Sequence, residues 1–389
     1  MSNNKIKYYP VNNGDMSLIT LKDNSTILID CNIREGDKDS NDNNIYDVKE
    51  DLLQSTQKRN NNPFVDLFIL SHPDEDHCRG FKKNFYTGDP EDYSKTNRDN
   101  EEIIIDEIWV TSMIFTTKQS DDANAIRNEV NRRKRLTDSD KNKKGNRLRL
   151  IGYDEDKKLE NVTSYTPGTE VNSFNRKTFE NFSFFVHAPF KKDLIQSRAD
   201  GDRNTSSIVL QARFKDKDSD TDHKTYALFG GDADHYIWEK IIEKSEKNNN
   251  EKYLKWDLLL APHHCSWTFF NNVSYDIEEN QTPKDYSLKL LNDYKEAGGK
   301  VVSSSKKIKK EKPNPPHKPA KDEYIKALAS KDDFYELAII PKEKSPEPVE
   351  FIVTNNGVTK STEKAKVAIT SGGAAGAAST VVKNGYDAI

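Results

Sequence analysis

Short apolar runs alternate with long polar stretches along this chain, and several runs end on an acid or a histidine. SLITL (17–21) and TILID (26–30), joined by the turn KDNS, predict two strands. VDLFILS (65–71) and WDLLLAP (256–262) are continuously apolar, the pattern of strands buried on both faces. EIIIDEIWVT (102–111), SFFVHAP (183–189), SSIVLQARF (206–214) and KTYALFGG (224–231) add four more. Helices are predicted in YDVKEDLLQSTQK, in HYIWEKIIEK with Ile237, Ile241 and Ile242 on one side, and in SLKLLNDYKEAG. Gly298 and Gly299 are expected to close the last helix before the strand KVVSSS. Strands and helices thus alternate, which predicts an α/β (α+β) fold. Residues 1–320 are read as one domain, and 321–389 as a C-terminal extension. That extension holds strand-like ELAII, VEFIV and KVAIT, and then the loose small-residue stretch SGGAAGAAST.

Composition refines this picture in two places. Hydrophobic residues are 34% and charged residues 32%, so much of the length must be solvated. Residues 117–160 are the extreme case and are read as a peripheral charged insertion. Within them, Arg127 to Arg149 carries ten Lys or Arg against Glu129, Asp138 and Asp140, and KKIKKEK (306–312) is a second basic run. Either run offers contacts to nucleic-acid phosphates, or else a solvated face. No apolar run is long enough to span a membrane, and MSNNKIKYYP lacks a signal-type apolar region. The expectation is a cytoplasmic protein whose three cysteines, Cys31, Cys78 and Cys265, stay reduced.

The chemistry concentrates in Ser71-His72-Pro73-Asp74-Glu75-Asp76-His77, directly after a buried strand. Crowded carboxylates repel one another unless a cation neutralises them, and a metal centre explains why His and Asp occur together. A tight loop places His72 and Asp74 on one ion, and Asp76 and His77 on a second. Asp232 follows the strand YALFG and is suited to bridge two ions. Pro262-His263-His264 follows DLLLA, and His263 or His264 completes the second site. Asp30 closes TILI. His187, after SFFV, is the candidate for one further ligand; a histidine satisfied in the core is the alternative. Each cysteine adjoins a motif residue, either as a thiolate ligand or sensor or as a small buried neighbour.

Taken in order, these elements resemble the metallo-β-lactamase superfamily, specifically its ComEC-like nuclease branch, over about residues 11–320. Asn13-Gly14-Asp15 with SLI and TILID is similar to the opening segment, with Asp30 at the first acid position. SHPDEDH is similar to the HxHxDH motif, with Asp74 in place of the second histidine. The run from Asn204 through Ser207 to Leu210 resembles the Asn-x-x-Ser-apolar run. LFGGD and APHHCS resemble the Gly-Asp and His-His-Gly-Ser elements, with Cys265 replacing the glycine and Cys78-Arg79 a small apolar pair. Pro316-His317 resembles a late histidine of the hydrolase core.

The resemblance implies an αββα sandwich holding one or two divalent metal ions, Zn or Mn, with Asp74 giving the first site a harder character. It implies a metal-dependent phosphodiester hydrolase, a nuclease acting on DNA, of the kind that accompanies bacterial defence or mobile-element systems. Asp30 would orient a ligand or the attacking water. His317, or whichever of His263 and His264 is not a ligand, would protonate the leaving oxygen. Asn204, Ser207 and Ser266 are candidates for substrate contact, capping being the alternative. Two other functions remain open: a phosphodiesterase for a small ester of cyclic-nucleotide or phosphorylcholine type, and a non-catalytic module that docks a protein partner through the insertion or the C-terminal extension.

Overall fold

The computed structural model describes residues 3–116, 120–154, 157–200, 203–215, 222–271, 282–310 and 314–362. The strand expected at 366–370 and the small-residue stretch 371–380 lie outside them.

Two mixed sheets carry the fold. In the first, a central parallel set runs Thr26–Ile29, Asn62–Ile69, Ile104–Val110, Arg147–Ile151 and Ser164–Tyr165. Antiparallel strands Ser17–Thr20, Lys5–Tyr8, Val349–Thr354 and Gly357–Lys360 extend it on the Thr26–Ile29 side. The second sheet orders Glu170–Val171, Phe182–Ala188, Val209–Phe214, Thr225–Phe229, Trp256–Leu260, Lys295–Ser303 and Phe334–Glu336, with the last four parallel. Their facing surfaces share one core, in which Tyr8, Ile27, Ile69 and Trp109 meet Phe184, Leu210, Phe229 and Leu258. Trp109 packs edge-on against Phe184 at 5.8 Å. Each outer surface is covered by helices: Leu52, Ile126 and Val130 on the first sheet, Trp238, Ile241, Leu290 and Tyr324 on the second. Full burial of such side chains contributes about 1.5–3 kcal/mol each, so both sheets are sandwiched between apolar layers.

Three expectations change. The charged segment 117–160 is not wholly peripheral. Helix Asp121–Lys134, capped by Ser120, crosses between strands Ile104–Val110 and Arg147–Ile151 and buries Ala123, Ile126 and Val130. Parallel neighbours need such a crossover, and high charge content hides this narrow stripe. Arg133 is buried too, its fork spent on Glu129 Oε1 (2.7 Å) and on the carbonyls of Ile105 and Arg147 (2.9 Å each). Arg132 pairs with the same Glu129, and Arg147 donates to Asn142 O. Much of the basic run therefore serves the fold, not a phosphate surface.

Residues 321–362 are equally built in. Helix Lys318–Ala327 crosses the expected boundary, Phe334–Glu336 joins the second sheet, and Val349–Thr354 pairs with Lys5–Tyr8 in the first. ELAII yields only the end of that strand and a short turn, Leu337–Ile339. Finally, the helix expected to reach Gly298 stops at Asn292. Strand Lys295–Ser303 already runs through both glycines, with Gly298 at φ +77°.

The parallel strands finish level: Ile29 faces Ile69, Leu228 faces Leu259, and Leu260 faces Val302. Ile208 N donates to Ser71 O (2.9 Å) and ties the two sheets at that edge. Open sheets gather ligands beyond the carboxyl ends of their strands, and there the motif residues meet.

Glu129→Ala leaves the Arg133 guanidinium buried without its counter-charge. The expected loss is about 3–5 kcal/mol in urea unfolding, against less than about 0.5 kcal/mol for exposed Arg135→Ala.

Candidate metal centre

Four strand ends and one early loop build the site. Asp30, in a left-handed conformation (φ +57°), accepts from Ser71 N and Ser71 Oγ (2.7 Å each) and stands 2.8 Å from His77 Nδ1. This bonding fixes the turn carrying His72 to His77. Gly231 (φ +49°) lets Asp232 turn inward, since a side chain there would crowd Ser71 and Ser207. Gly14 (φ +135°) brings the first loop against the second: an added Cβ would collide with the Asn32 side chain and lie 2.5 Å from the Asp76 carbonyl. His263, His264 and Cys265 are all left-handed, at φ 49°, 55° and 63°. Each such residue costs roughly 1–2 kcal/mol. The turn is held by His263 N to Gly231 O (3.0 Å), Ser266 N to Pro262 O (3.3 Å) and His317 N to Cys265 O (3.0 Å).

The result is a carboxylate ringed by imidazoles. Asp232 Oδ1 lies 3.1 Å from His77 Nε2 and 3.5 Å from His264 Nε2. Asp232 Oδ2 lies 3.6 Å from His72 Nε2 and 3.7 Å from His263 Nε2. Asp76 adds Oδ2 at 3.2 Å from His264 Nε2, and Asp74 adds Oδ2 at 3.7 Å from His72 Nε2. The far side of each ring is occupied. His72 Nδ1 meets Ser71 Oγ (3.0 Å), His263 Nδ1 meets Thr268 Oγ1 (3.1 Å), and His264 Nδ1 meets Gly14 N and Ser304 O (3.1 Å each). Nε2 of His72, His77 and His264 and Oδ1 of Asp232 are buried without a hydrogen-bond partner. Such atoms are costly to bury, and here they converge.

This donor set fits divalent metal. Oriented imidazoles whose outer nitrogens are hydrogen-bonded, together with carboxylates, are the ligands of zinc and related ions. Asp76, His77 and His264 could hold an ion, as could His72, His77 and Asp232, with Asp74 beside His72 and His263 beside Asp232. The electrostatics agree. Burial opposes charge on Asp232, yet the imidazoles of His264, His77, His263 and His72 outweigh it and hold the carboxyl well below its usual range. Burial would lower His264, but Asp232, Asp15 and Asp76 drive it up to about 10; Asp232 and Asp30 raise His77 likewise. The pocket demands positive charge and draws protons where no other cation is held.

Other expected residues fall elsewhere. His187 is not at the centre: its Nε2 bonds Tyr253 O (2.8 Å) and its ring packs on Phe185. Ser207 and Ser266 are fully buried behind the ligands, out of a substrate's reach. Ser207 Oγ accepts from Asp232 N (3.2 Å) and faces His72 Nδ1 (3.5 Å), while Ser266 Oγ accepts from Thr268 Oγ1 (3.0 Å). Asn204 opens the turn Asn204–Ser206 and accepts Ser207 N through its carbonyl. His317 Nδ1 accepts from Trp267 N (2.8 Å), so its neutral ring carries the proton on Nε2 and the residue braces the strained turn. The thiols of Cys31 and Cys78 donate to the carbonyls of Arg79 and Asp74, and burial raises all three cysteines.

Two residues escape the sequence reading. Asp15 is buried with its Oδ1 3.6 Å from His264 Nδ1; its place beside Gly14 at a strand start was the available signal. Arg203 places Nε 2.6 Å from Asp74 Oδ1, and nothing in its sequence context marks it. Comparison with known proteins finds no matching family model and no matching curated protein.

Burial pushes His187 down to about 4. Its folded value lies below the unfolded value of about 6.5, so between those limits only the unfolded chain takes up the proton. Stability therefore falls as pH drops from about 6.5 to about 4, by on the order of 1–3 kcal/mol. His187→Gln is expected to flatten that part of the pH–stability curve measured by urea unfolding.

Proposed function

We propose that this protein is a metal-dependent phosphodiester hydrolase with a metallo-β-lactamase-type αββα sandwich, acting as a nuclease on DNA. The observation that carries the reading is the convergence of four imidazoles and three carboxylates at one sheet edge, with unpartnered Nε2 atoms turned onto Asp232. The layer order of helices, two sheets and helices supports the fold assignment. Divalent ions, when bound, acidify water and neutralise charge on phosphoryl oxygens.

The chain's own residues set the conditions for that chemistry. Asp30 locks the His77 ring, Ser207 joins Asp232 to His72, and Thr268 orients His263. Arg203, part-exposed beside Asp74, offers a guanidinium to an incoming phosphoryl oxygen. A cleft of 540 Å³ reaches Asp76, and Arg34, Lys38, Arg79 and Lys306 in its wall offer contacts to an anionic substrate. No helix among the described residues is long and apolar enough to cross a membrane.

Metal analysis after refolding with Zn²⁺ or Mn²⁺ is expected to find bound ion, with stability raised by about 2.7 kcal/mol at a hundredfold excess over Kd. Protein that stays metal-free with both ions would refute the site. DNA cleavage is expected with Mn²⁺ and not with Ca²⁺. Asp232→Ala and Asp76→Ala should abolish it with an unchanged circular dichroism spectrum, and Asp30→Asn should lower it about 10–100-fold. Hydrolysis of small diesters with no cut polynucleotide would reassign the substrate.

A further inference from the structure

The cleft that reaches Asp76 is lined by as many acids as bases, so its charge depends on which are already satisfied. Glu35 pairs with Lys83 (2.7 Å), and Glu75 with Arg79 (3.3 Å). Asp39 accepts from Asn41 N and Asn43 N (2.8 and 3.0 Å). Asp76 faces His264. Each acid is thus committed, Glu75 to Arg79 within the wall itself.

Two cations in the wall are not. Among the described residues Arg34 makes no ion pair. Its fork is held by the Asn12 side-chain oxygen, at 2.6 Å from Nη1 and 3.2 Å from Nη2, a neutral acceptor that orients the guanidinium without cancelling its charge. Burial works against the Arg34 charge, the Asp39 carboxylate supports it, and Arg79 opposes it. Lys306, an exposed residue of the cleft wall, is anchored by its backbone, N to Asn13 Oδ1 at 2.9 Å. Asn12 and Asn13 belong to the same loop whose Gly14 touches the Asp76 turn. One loop thereby sets both cations at a fixed place relative to the metal centre.

We infer that Arg34 and Lys306 form a clamp for a backbone phosphate of a single nucleic-acid strand whose neighbouring diester lies at the metal centre. The inference rests on the hydrolase reading above and names the form of its substrate. A planar guanidinium binds a phosphate through paired donors, and the Arg34 fork is held in the wall by a neutral acceptor with no ion pair among the described residues. A cleft of 540 Å³ is within the about 300–1,000 Å³ of sites for small molecules or short segments. That space is the size of a nucleotide or two of one strand.

The test is binding of a short fluorescein-labelled single strand to full-length protein, followed by anisotropy without added metal, with the matching duplex as comparison. Arg34→Ala and Lys306→Ala should each weaken single-strand binding about tenfold, with thermal midpoint and metal content as in wild type. Each should lower the salt slope by about one. Arg34→Lys should bind between the two, and Lys82→Ala, outside the cleft, should bind as wild type. Unchanged affinity in both cleft variants would overturn the clamp, whatever the protein cleaves. Duplex binding as tight as single strand would overturn the single-strand assignment. Wild-type protein with bound Mn²⁺ that cleaves no diester would overturn the hydrolase reading alone, since the anisotropy still decides the clamp.

Discussion

Everything at the functional edge depends on burying the Asp232 carboxylate among other acids. Asp15, Asp30 and Asp232 are buried, and Asp74 and Asp76 partly so, within one small volume. Two like charges about 4 Å apart repel by about 4 kcal/mol at an effective dielectric of 20, so the cluster is untenable without positive charge at its centre. The imidazoles supply it only by holding protons, which His77 and His264 do far above the usual histidine range. A ligand nitrogen cannot keep that proton. A divalent ion would replace protons one charge for another, so metal uptake and proton release are two faces of the same requirement.

That requirement explains why the backbone tolerates strain here. Three consecutive left-handed residues, His263, His264 and Cys265, have no glycine to ease them. They are held because the flanking strand Trp256–Leu260 is buried between Thr225–Phe229 and Lys295–Ser303, and because His317 and Gly231 bond the turn from both sides. The core between the sheets therefore does more than stabilise the chain. It fixes strand ends level enough that five separated segments deliver side chains to one point. Strain concentrated at such a place fits pre-organised chemistry better than accident.

Sequence patterning reached the buried strands because their apolar runs are uninterrupted, and it reached His72, Asp76, His77, Asp232 and the His263–His264 pair because each stands just past such a run. It failed where charge and burial part company. Helix Asp121–Lys134 reads as solvated, yet Arg133 is buried because Glu129 and two carbonyls satisfy its donors together, a three-dimensional fact with no linear signature. Strand Val349–Thr354 was visible, but its partner Lys5–Tyr8 lies at the other end of the chain, so its place in the first sheet was not. Ser207 and Ser266 looked like substrate contacts because hydroxyls near a site serve either role; only burial separates them. Arg203 and Arg34 carried no local mark, since their meaning comes from which carboxylates they approach or avoid.

The distribution of exposure among the ligands gives the centre a direction. His72, His77, His264 and Asp232 are sealed, whereas Asp76, Asp74 and His263 are 33%, 27% and 21% exposed. Among the described ligands, those three are the ones open to a reactant. Arg203 stands at the Asp74 edge of this opening, and the cleft with Arg34 and Lys306 leads from the Asp76 edge. Cationic donors therefore flank the opening on two sides, while the acids nearest to it face the imidazoles or Arg203. On the proposed reading, an extended polyanion laid across the opening meets Arg203 at one edge and Arg34 and Lys306 at the other. A small diester would use only the middle of that path.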